Sequence, residues 1–175
     1  MQNPNFYTIL RVLLVPVFLF TLLSYENYLA AVIIFWVAAI TDLIDGHLAR
    51  KHNLISTFGK IADPIADKAL TGGAWIGLSA LGFIPWIATA LILVREIGIT
   101  FLRLRVVDTK EVAADRGGKT KTTFQITTIS FFLVALGFNW NWLEIPNNIL
   151  LWVTVLLTTY TGARYLPQLI GTKHV

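Results

Sequence analysis

The sequence predicts an all-α integral membrane protein: a bundle of six transmembrane helices with both termini in the cytoplasm. Of its 175 residues, 55% are hydrophobic and only 14% are charged, and the mean hydropathy is +0.67. A soluble domain of ordinary composition carries about a quarter charged residues. Six spans of about 20 residues would use roughly 120 residues. The chain therefore has room for one domain, residues 1–175, with short loops.

Six apolar segments supply the predicted helices, and turn-forming residues separate them. The segments are Phe6–Ser24, Tyr28–Ala49, Gly59–Leu81, Pro85–Leu104, Thr120–Phe138 and Asn148–Leu166. The breaks include Lys51-His52-Asn53, Gly82 to Pro85, Arg116-Gly117-Gly118 and Asn139 to Asn147. The first segment lacks a basic stretch before it and a small-residue cleavage site, so we expect a retained helix rather than a signal peptide.

Lysine and arginine predict the orientation, because they favour the cytoplasmic side of a membrane. The loops after segments one, three and five contain neither residue. The loops after segments two and four and the C-terminal tail carry Arg50, Lys51, Lys60, Lys110, Arg116, Lys119 and Lys173. This placement accounts for the net charge of +4 without a nucleic-acid partner. The absence of cysteine excludes disulfides and thiolate chemistry.

Four aspartates stand where a membrane helix should be apolar. Asp42 and Asp45 lie near the cytoplasmic end of segment two, and Asp63 and Asp67 near the start of segment three. A charge at the centre of a membrane helix costs about 2.5–3.5 kcal/mol. Spacings of three and four residues put each pair on one helix face. Converging carboxylates repel each other unless cations bind, and oxygen ligands alone favour two Mg²⁺ or Mn²⁺ ions.

Small residues and one arginine accompany the aspartates. Gly46, Ala49 and Gly59 leave space for a ligand or a facing helix, and Arg50 has the geometry to grip a phosphate. One alternative interpretation is that the aspartates simply face water and have no function. An ion-coupled transporter is the rival function, because intramembrane acids also mark ion pathways. The clustering of the acids at one end favours phosphate chemistry.

These positions fit the pattern D-x-x-D-G-x-x-A-R, eight residues, then G-x-x-x-D-x-x-x-D, at Asp42, Asp45, Gly46, Ala49, Arg50, Gly59, Asp63 and Asp67. In this respect the chain resembles the CDP-alcohol phosphatidyltransferase family. The resemblance implies a homodimeric six-helix enzyme of the bacterial inner membrane whose active site faces the cytoplasm. It also implies that a phosphatidyl group passes from CDP-diacylglycerol to an alcohol and that CMP is released.

The resemblance also assigns roles to the motif. The four aspartates would hold two divalent cations, and Asp67 would serve as the general base. The CDP-lipid would lie against Asp45, Gly46, Ala49, Arg50 and Gly59. Spacing alone leaves open whether Asp67 is a base, a metal ligand or both.

Basic residues in the second half of the chain bear on the acceptor alcohol. Arg95 and Arg103 are eight residues apart and so share a helix face, and Lys119 and Lys121 follow on segment five. Such a cluster favours an acceptor that carries its own phosphate. Arg95 lies deep enough in its helix to need an anionic partner, and a salt bridge to Glu96 is the alternative.

Three stretches resemble family members that use sn-glycerol 3-phosphate. They run from Pro4 to Arg11, from Arg95 to Arg103 and from Gly118 to Thr122. The likeness implies that Arg95, Arg103 and Lys119 hold the acceptor phosphate, with possible support from Asn5, Thr8 and Arg11. Inositol phosphate and phosphatidylglycerol remain alternative acceptors.

Two further groups of residues receive structural interpretations. Lys121 and Arg105 are assigned to membrane lipid headgroups. Gly72, Gly73 and Gly77 form a stripe of small residues, which indicates either close packing within one chain or a dimer contact.

Overall fold

The computed structural model describes residues 4–24, 27–52, 57–106 and 116–170, and the side chains within 13–24, 27–41, 68–101 and 121–164. These residues form six α-helices: α1 Pro4–Leu23, α2 Tyr28–His52, α3 Thr57–Ala80, α4 Trp86–Val106, α5 Arg116–Gly137 and α6 Glu144–Ile170. A 3-10 helix, Asn141–Leu143, precedes α6. The predicted all-α, six-helix architecture is therefore confirmed for this part of the chain. Over the same residues, no helix combines the length and the apolar character needed to cross a membrane.

The helices extend further into polar sequence than the apolar segments predicted. α5 begins at Arg116, so the break predicted at Arg116-Gly117-Gly118 is wrong, and α2 continues through Lys51 to His52. α6 begins at Glu144, within the predicted loop. Pro146 falls in the first turn of α6, where a missing N–H removes no helical hydrogen bond. Backbone hydrogen bonds continue a helix into sequence whose side chains are polar. Hydropathy therefore predicts helices that start too late, as for α5 and α6, or stop too early, as for α2.

Two of the predicted turns end their helices in the same way. Gly82 after α3 has φ 81°, and Asn139 after α5 has φ 54°. In each turn the next residue's amide donates to a carbonyl five residues earlier, at 3.0 Å after α3 and 2.8 Å after α5. This is the Schellman arrangement, which satisfies the last helical carbonyls.

The six helices form a closed ring in the order α1, α2, α5, α6, α4, α3, and α3 also touches α5 across the centre. The core consists of large side chains directed into this ring, among them the fully buried Phe18, Phe35, Leu78 and Leu133. Consecutive helices such as α4 and α5 are therefore separated in the ring, and α6 lies between them. This order decides which polar residues meet.

The glycine stripe of α3 packs against other helices of the same chain. A Cβ on Gly77 would lie 2.7 Å from Leu22 Cδ2 of α1, and one on Gly72 would lie 3.2 Å from Leu93 Cδ2 of α4. Of the two predicted interpretations, close packing within one chain is confirmed for these glycines.

Apolar side chains also cover much of the outer surface. On α4, Ile87, Val94 and Ile97 are more than half exposed. Beyond α5, Trp140 stacks on Phe138 with ring centroids 5.0 Å apart, and it meets Trp142 at a tilt of 35° with centroids 6.0 Å apart. An exposed apolar surface of this kind favours contact with lipid or with another protein.

Candidate active site

The motif aspartates lie on consecutive helices, near the connection between them. Asp42 and Asp45 belong to the last part of α2, and Asp63 and Asp67 to the first part of α3. At a rise of about 1.5 Å per residue, Asp45 lies roughly 10 Å and Asp42 roughly 15 Å before the end of α2. Asp63 lies roughly 10 Å and Asp67 roughly 15 Å after the start of α3. The two pairs thus lie at matching distances along their helices, although their side chains are outside the described residues.

The other predicted site residues, Arg95 excepted, are likewise placed only by their helices. Gly46, Ala49 and Arg50 are in α2, Gly59 in α3, Arg103 in α4, Lys119 in α5, and Asn5, Thr8 and Arg11 in α1. Among the residues whose side chains are described, no three His, Cys, Asp or Glu side chains lie together as a metal site. That region does not include the four motif aspartates, so their role stays a prediction.

A basic cluster lies among the residues whose side chains are described, and its centre is a carboxylate. Glu96 Oε1 accepts hydrogen bonds from Lys121 Nζ and, at 3.0 Å, from Arg95 Nη1. Lys68 Nζ donates to Glu96 Oε2 at 3.1 Å and to the Glu96 carbonyl at 3.2 Å. Gln125 Nε2 adds a longer bond of 3.3 Å to Oε1. We call Lys68, Arg95, Glu96, Lys121 and Gln125 the Glu96 cluster.

The Glu96 cluster is largely shielded from solvent. The exposed fractions of the side chains are 8% for Arg95, 11% for Lys121, 12% for Glu96 and 32% for Lys68. Its members come from α3, α4 and α5: α3 lies beside α4 in the ring and touches α5 across the centre. Among the residues whose side chains are described, these three cations contact the same carboxylate.

Arg95 is fixed from α6 as well as by Glu96. Its Nη2 donates to Thr161 Oγ1 at 3.3 Å. Its aliphatic stem passes over Gly162, where a Cβ would lie 2.7 Å from Arg95 Cγ. The salt bridge to Glu96, which the sequence offered as the alternative for Arg95, is therefore present. The predicted contact of Arg95 with the acceptor phosphate is left as a prediction.

The interpretation of Lys121 as a headgroup contact is wrong. Its amine points to Glu96 between helices, because an almost buried carboxylate needs partners and α5 brings this lysine within reach.

Sequence reasoning also missed Lys68, Gln125, Thr161 and Gly162. One signal was available: Lys68 directly follows Asp67 in an apolar helix, where a lysine needs a partner. Gln125, Thr161 and Gly162 carry no comparable signal, because their roles depend on the packing of α6.

A buried polar seam continues from the cluster between α5 and α6. Gln125 Nε2 donates to Thr158 Oγ1 at 3.4 Å, and the hydroxyls of Thr128 and Thr154 lie 2.7 Å apart. These side chains are at most 3% exposed. Paired buried hydroxyls fix how two helices align, because any shift leaves them unsatisfied.

Comparison with known proteins decides the family. The CDP-alcohol phosphatidyltransferase family profile matches residues 1–160, which include the whole acidic motif and all five members of the Glu96 cluster. This chain belongs to the CDP-alcohol phosphatidyltransferase family. The resemblance that the motif predicted is thereby confirmed.

Several bacterial relatives of this phosphatidyltransferase are similar over most of their length. A probable phosphatidylglycerophosphate synthase of Mycobacterium tuberculosis is 41% identical over 169 residues, which cover 94% of this chain and 79% of the relative. A CDP-diacylglycerol–glycerol-3-phosphate 3-phosphatidyltransferase of Rickettsia typhi is 38% identical, covering 94% of this chain and 96% of the relative. A Bacillus subtilis protein of the same name is 35% identical, with coverages of 94% and 93%.

Proposed function

We propose that this phosphatidyltransferase transfers the phosphatidyl group of CDP-diacylglycerol to sn-glycerol 3-phosphate. The products are phosphatidylglycerophosphate and CMP, and the reaction belongs to phospholipid biosynthesis. The observation that carries the proposal is the near full-length similarity to relatives named for this reaction in Rickettsia typhi and Bacillus subtilis.

The Glu96 cluster supports a phosphorylated acceptor. Lys68, Arg95 and Lys121 bring three positively charged groups together around Glu96, and we assign these groups to the acceptor's phosphate. Charge-assisted hydrogen bonds from arginine and lysine are among the strongest that phosphate receives. Arg103 lies eight residues after Arg95 in α4 and Lys119 lies two residues before Lys121 in α5, and we assign both to the proposed acceptor pocket. Asn5, Thr8 and Arg11 of α1 are proposed as support.

The donor side of the site is assigned to the acidic motif. Four carboxylates suit two Mg²⁺ or Mn²⁺ ions, because these cations prefer oxygen ligands. We assign Asp42, Asp45, Asp63 and Asp67 as their ligands. When bound, such ions neutralise the pyrophosphate charge and polarise its phosphorus. The CDP moiety is placed against Asp45, Gly46, Ala49, Arg50 and Gly59.

Asp67 is proposed as the group that accepts the acceptor's proton. The acceptor hydroxyl oxygen forms a bond to the phosphorus that carries the diacylglycerol, and the phosphoanhydride P–O bond breaks. The leaving CMP takes the electron pair, and the hydroxyl proton passes to the Asp67 carboxylate. A carboxylate within reach of the nucleophile contributes in this way as a general base.

We further propose that the protein lies in the bacterial inner membrane with its motif end at the cytoplasm. The exposed apolar face of α4 and the Phe138–Trp140–Trp142 stack support contact with membrane lipids, since aromatic side chains favour membrane interfaces. A homodimer is part of the same proposal and rests on the family resemblance.

The reaction is tested by release of CMP from CDP-diacylglycerol by the purified protein with Mg²⁺. Glycerol 3-phosphate, inositol phosphate and phosphatidylglycerol are supplied separately, and the lipid product is identified by mass. We expect turnover with glycerol 3-phosphate to exceed the others by about 10³-fold or more, because a site built for one polar acceptor leaves its own groups unpaired with another. Preferred turnover of either alternative would reassign the acceptor.

A further inference from the structure

The Lys68–Glu96 contact links the two halves of the proposed site. Lys68 directly follows Asp67 in α3, and its amine is held by both the side chain and the backbone carbonyl of Glu96 in α4. Two bonds to one residue restrict the amine more than a single surface ion pair does. The contact therefore constrains how α3, the helix of the proposed base, sits against the helix of Arg95.

Glu96 also keeps two cations closer together than they would stay alone. Arg95 Nη1 and Lys121 Nζ both donate to Oε1, so these groups lie within about 6 Å of each other, the sum of two hydrogen-bond lengths. Like charges at that distance in a poorly hydrated site repel strongly unless a carboxylate lies between them. Glu96 thus opposes the repulsion that would spread these cations apart.

The remaining bonds of the cluster are consistent with a fixed framework. Gln125 ties Glu96 to Thr158, and Thr161 holds the far end of Arg95. The carboxylate is therefore connected to α3, α5 and α6 from its own position on α4.

We propose that Glu96 is a positioning residue: it holds Lys68, Arg95 and Lys121 in the arrangement that receives the acceptor's phosphate and aligns that phosphate's alcohol with Asp67. This inference rests on the proposed function. Glu96 itself does not touch the reacting atoms. Its negative charge weakens the attraction of the cluster for an anion, and its hydrogen bonds set the geometry. The geometric contribution outweighs the electrostatic one, because misplacement by about 1 Å costs up to roughly a hundredfold in rate.

The test replaces Glu96 by glutamine, which keeps the size of the side chain and removes its charge. We expect the KM for glycerol 3-phosphate to rise about 10-fold to 100-fold and kcat to fall, with the KM for CDP-diacylglycerol unchanged. A lower acceptor KM would show that Glu96 only attenuates the positive charge, and this would overturn the proposal. Equal changes in both KM values would also overturn it, as would no change in either.

A second variant, Lys68→Met, tests the contact between α3 and Glu96 and stays informative if Glu96→Gln does not fold. Lys68 is the most exposed cation of the cluster, so its loss is the best tolerated. We expect the acceptor KM to rise, because one of the three cations that receive the phosphate is lost, and kcat to fall about tenfold, because the alignment with α3 is lost as well. An unchanged kcat contradicts the proposed link between the halves.

Ser79→Ala is the matched structural control. It removes a buried hydroxyl bonded to Thr89 at 2.6 Å, eleven residues along α3 from Lys68 and about 16 Å away. We expect lower thermal stability with both KM values unchanged. The wild-type assay is read first: absence of CMP release with glycerol 3-phosphate removes the proposed function and this inference together. Wild-type turnover with unaffected Glu96 and Lys68 variants removes the inference alone.

Discussion

The acidic motif of α2 and α3 and the Glu96 cluster handle concentrated charge in different ways. The motif gathers four aspartates, whose proposed counter-charge comes from outside the chain as divalent cations. The cluster gathers three cations and supplies one carboxylate of its own. A site whose charge is fully balanced has little attraction left for a ligand, and an unbalanced buried site is costly to fold.

The two regions adjoin at a single peptide bond, between Asp67 and Lys68. Although they adjoin, we expect the two regions to act on different substrates. A change at the cluster should affect the acceptor first, and a change at the motif should affect the metals and the donor first. The following experiments test that separation.

Removal of divalent cations should have the largest effect. We expect EDTA to reduce CMP release to background, and added Mg²⁺ or Mn²⁺ to restore it, because the pyrophosphate charge is then neutralised again. Circular dichroism recorded in EDTA checks that the helices persist. Full activity in excess chelator would remove the metal assignment of the aspartates.

Asp67→Asn tests the base at the border of the two regions. We expect kcat to fall about 10²-fold to 10⁴-fold, the range for loss of a positioned general base, with CDP-diacylglycerol binding still measurable. Glu144→Gln is the control, since Glu144 is an exposed acid at the start of α6. A nearly normal kcat for the asparagine variant would assign the proton to another acceptor.

Lys121→Met tests whether the cluster acts on the acceptor. We expect its KM for glycerol 3-phosphate to rise about 10-fold to 100-fold, which corresponds to losing a charged hydrogen bond of about 1.5–3 kcal/mol. The donor KM should stay constant. Arg164→Met removes an exposed positive charge from α6 and controls for net charge. If both variants raise the acceptor KM equally, general attraction explains the effect and the cluster does not.

Gly162→Ala makes the smallest change, a single methyl group beneath Arg95. The added Cβ would lie 2.7 Å from Arg95 Cγ, so the arginine must move, and we expect the acceptor KM to rise about tenfold. Gly98→Ala is the matched control on α4, because its Cβ meets no atom within 4 Å. It should leave KM unchanged and gain up to about 1 kcal/mol of helix propensity. Equal behaviour of the two variants would show that Arg95 is not held by α6.

Much of the fold was predictable because local chemistry determines it. Apolar runs gave six helices, and Gly82 and Asn139 marked two helix ends correctly, since few residues adopt positive φ. Arg116-Gly117-Gly118 misled the prediction, because glycine lowers helix propensity without forbidding a helix.

The candidate site was likewise predictable only where residue type and local spacing determine it. The aspartates of the motif repeat at helical spacing within one short stretch, so the pattern reveals both the pairs and the family. Lys121 was misinterpreted because its partner, Glu96, is 25 residues away on the preceding helix, α4, which is not a neighbour of α5 in the ring.

By itself the sequence determined the helical architecture, the acidic motif and the family, because each depends on residue type and on spacing within a few turns. The contacts of Glu96 with Lys68 and Lys121, and the space that Gly162 leaves for Arg95, became evident only in the folded chain. The physical reason is that these contacts depend on the order of helices in the ring. That order follows from the packing of whole helix faces, which no short stretch of the chain encodes.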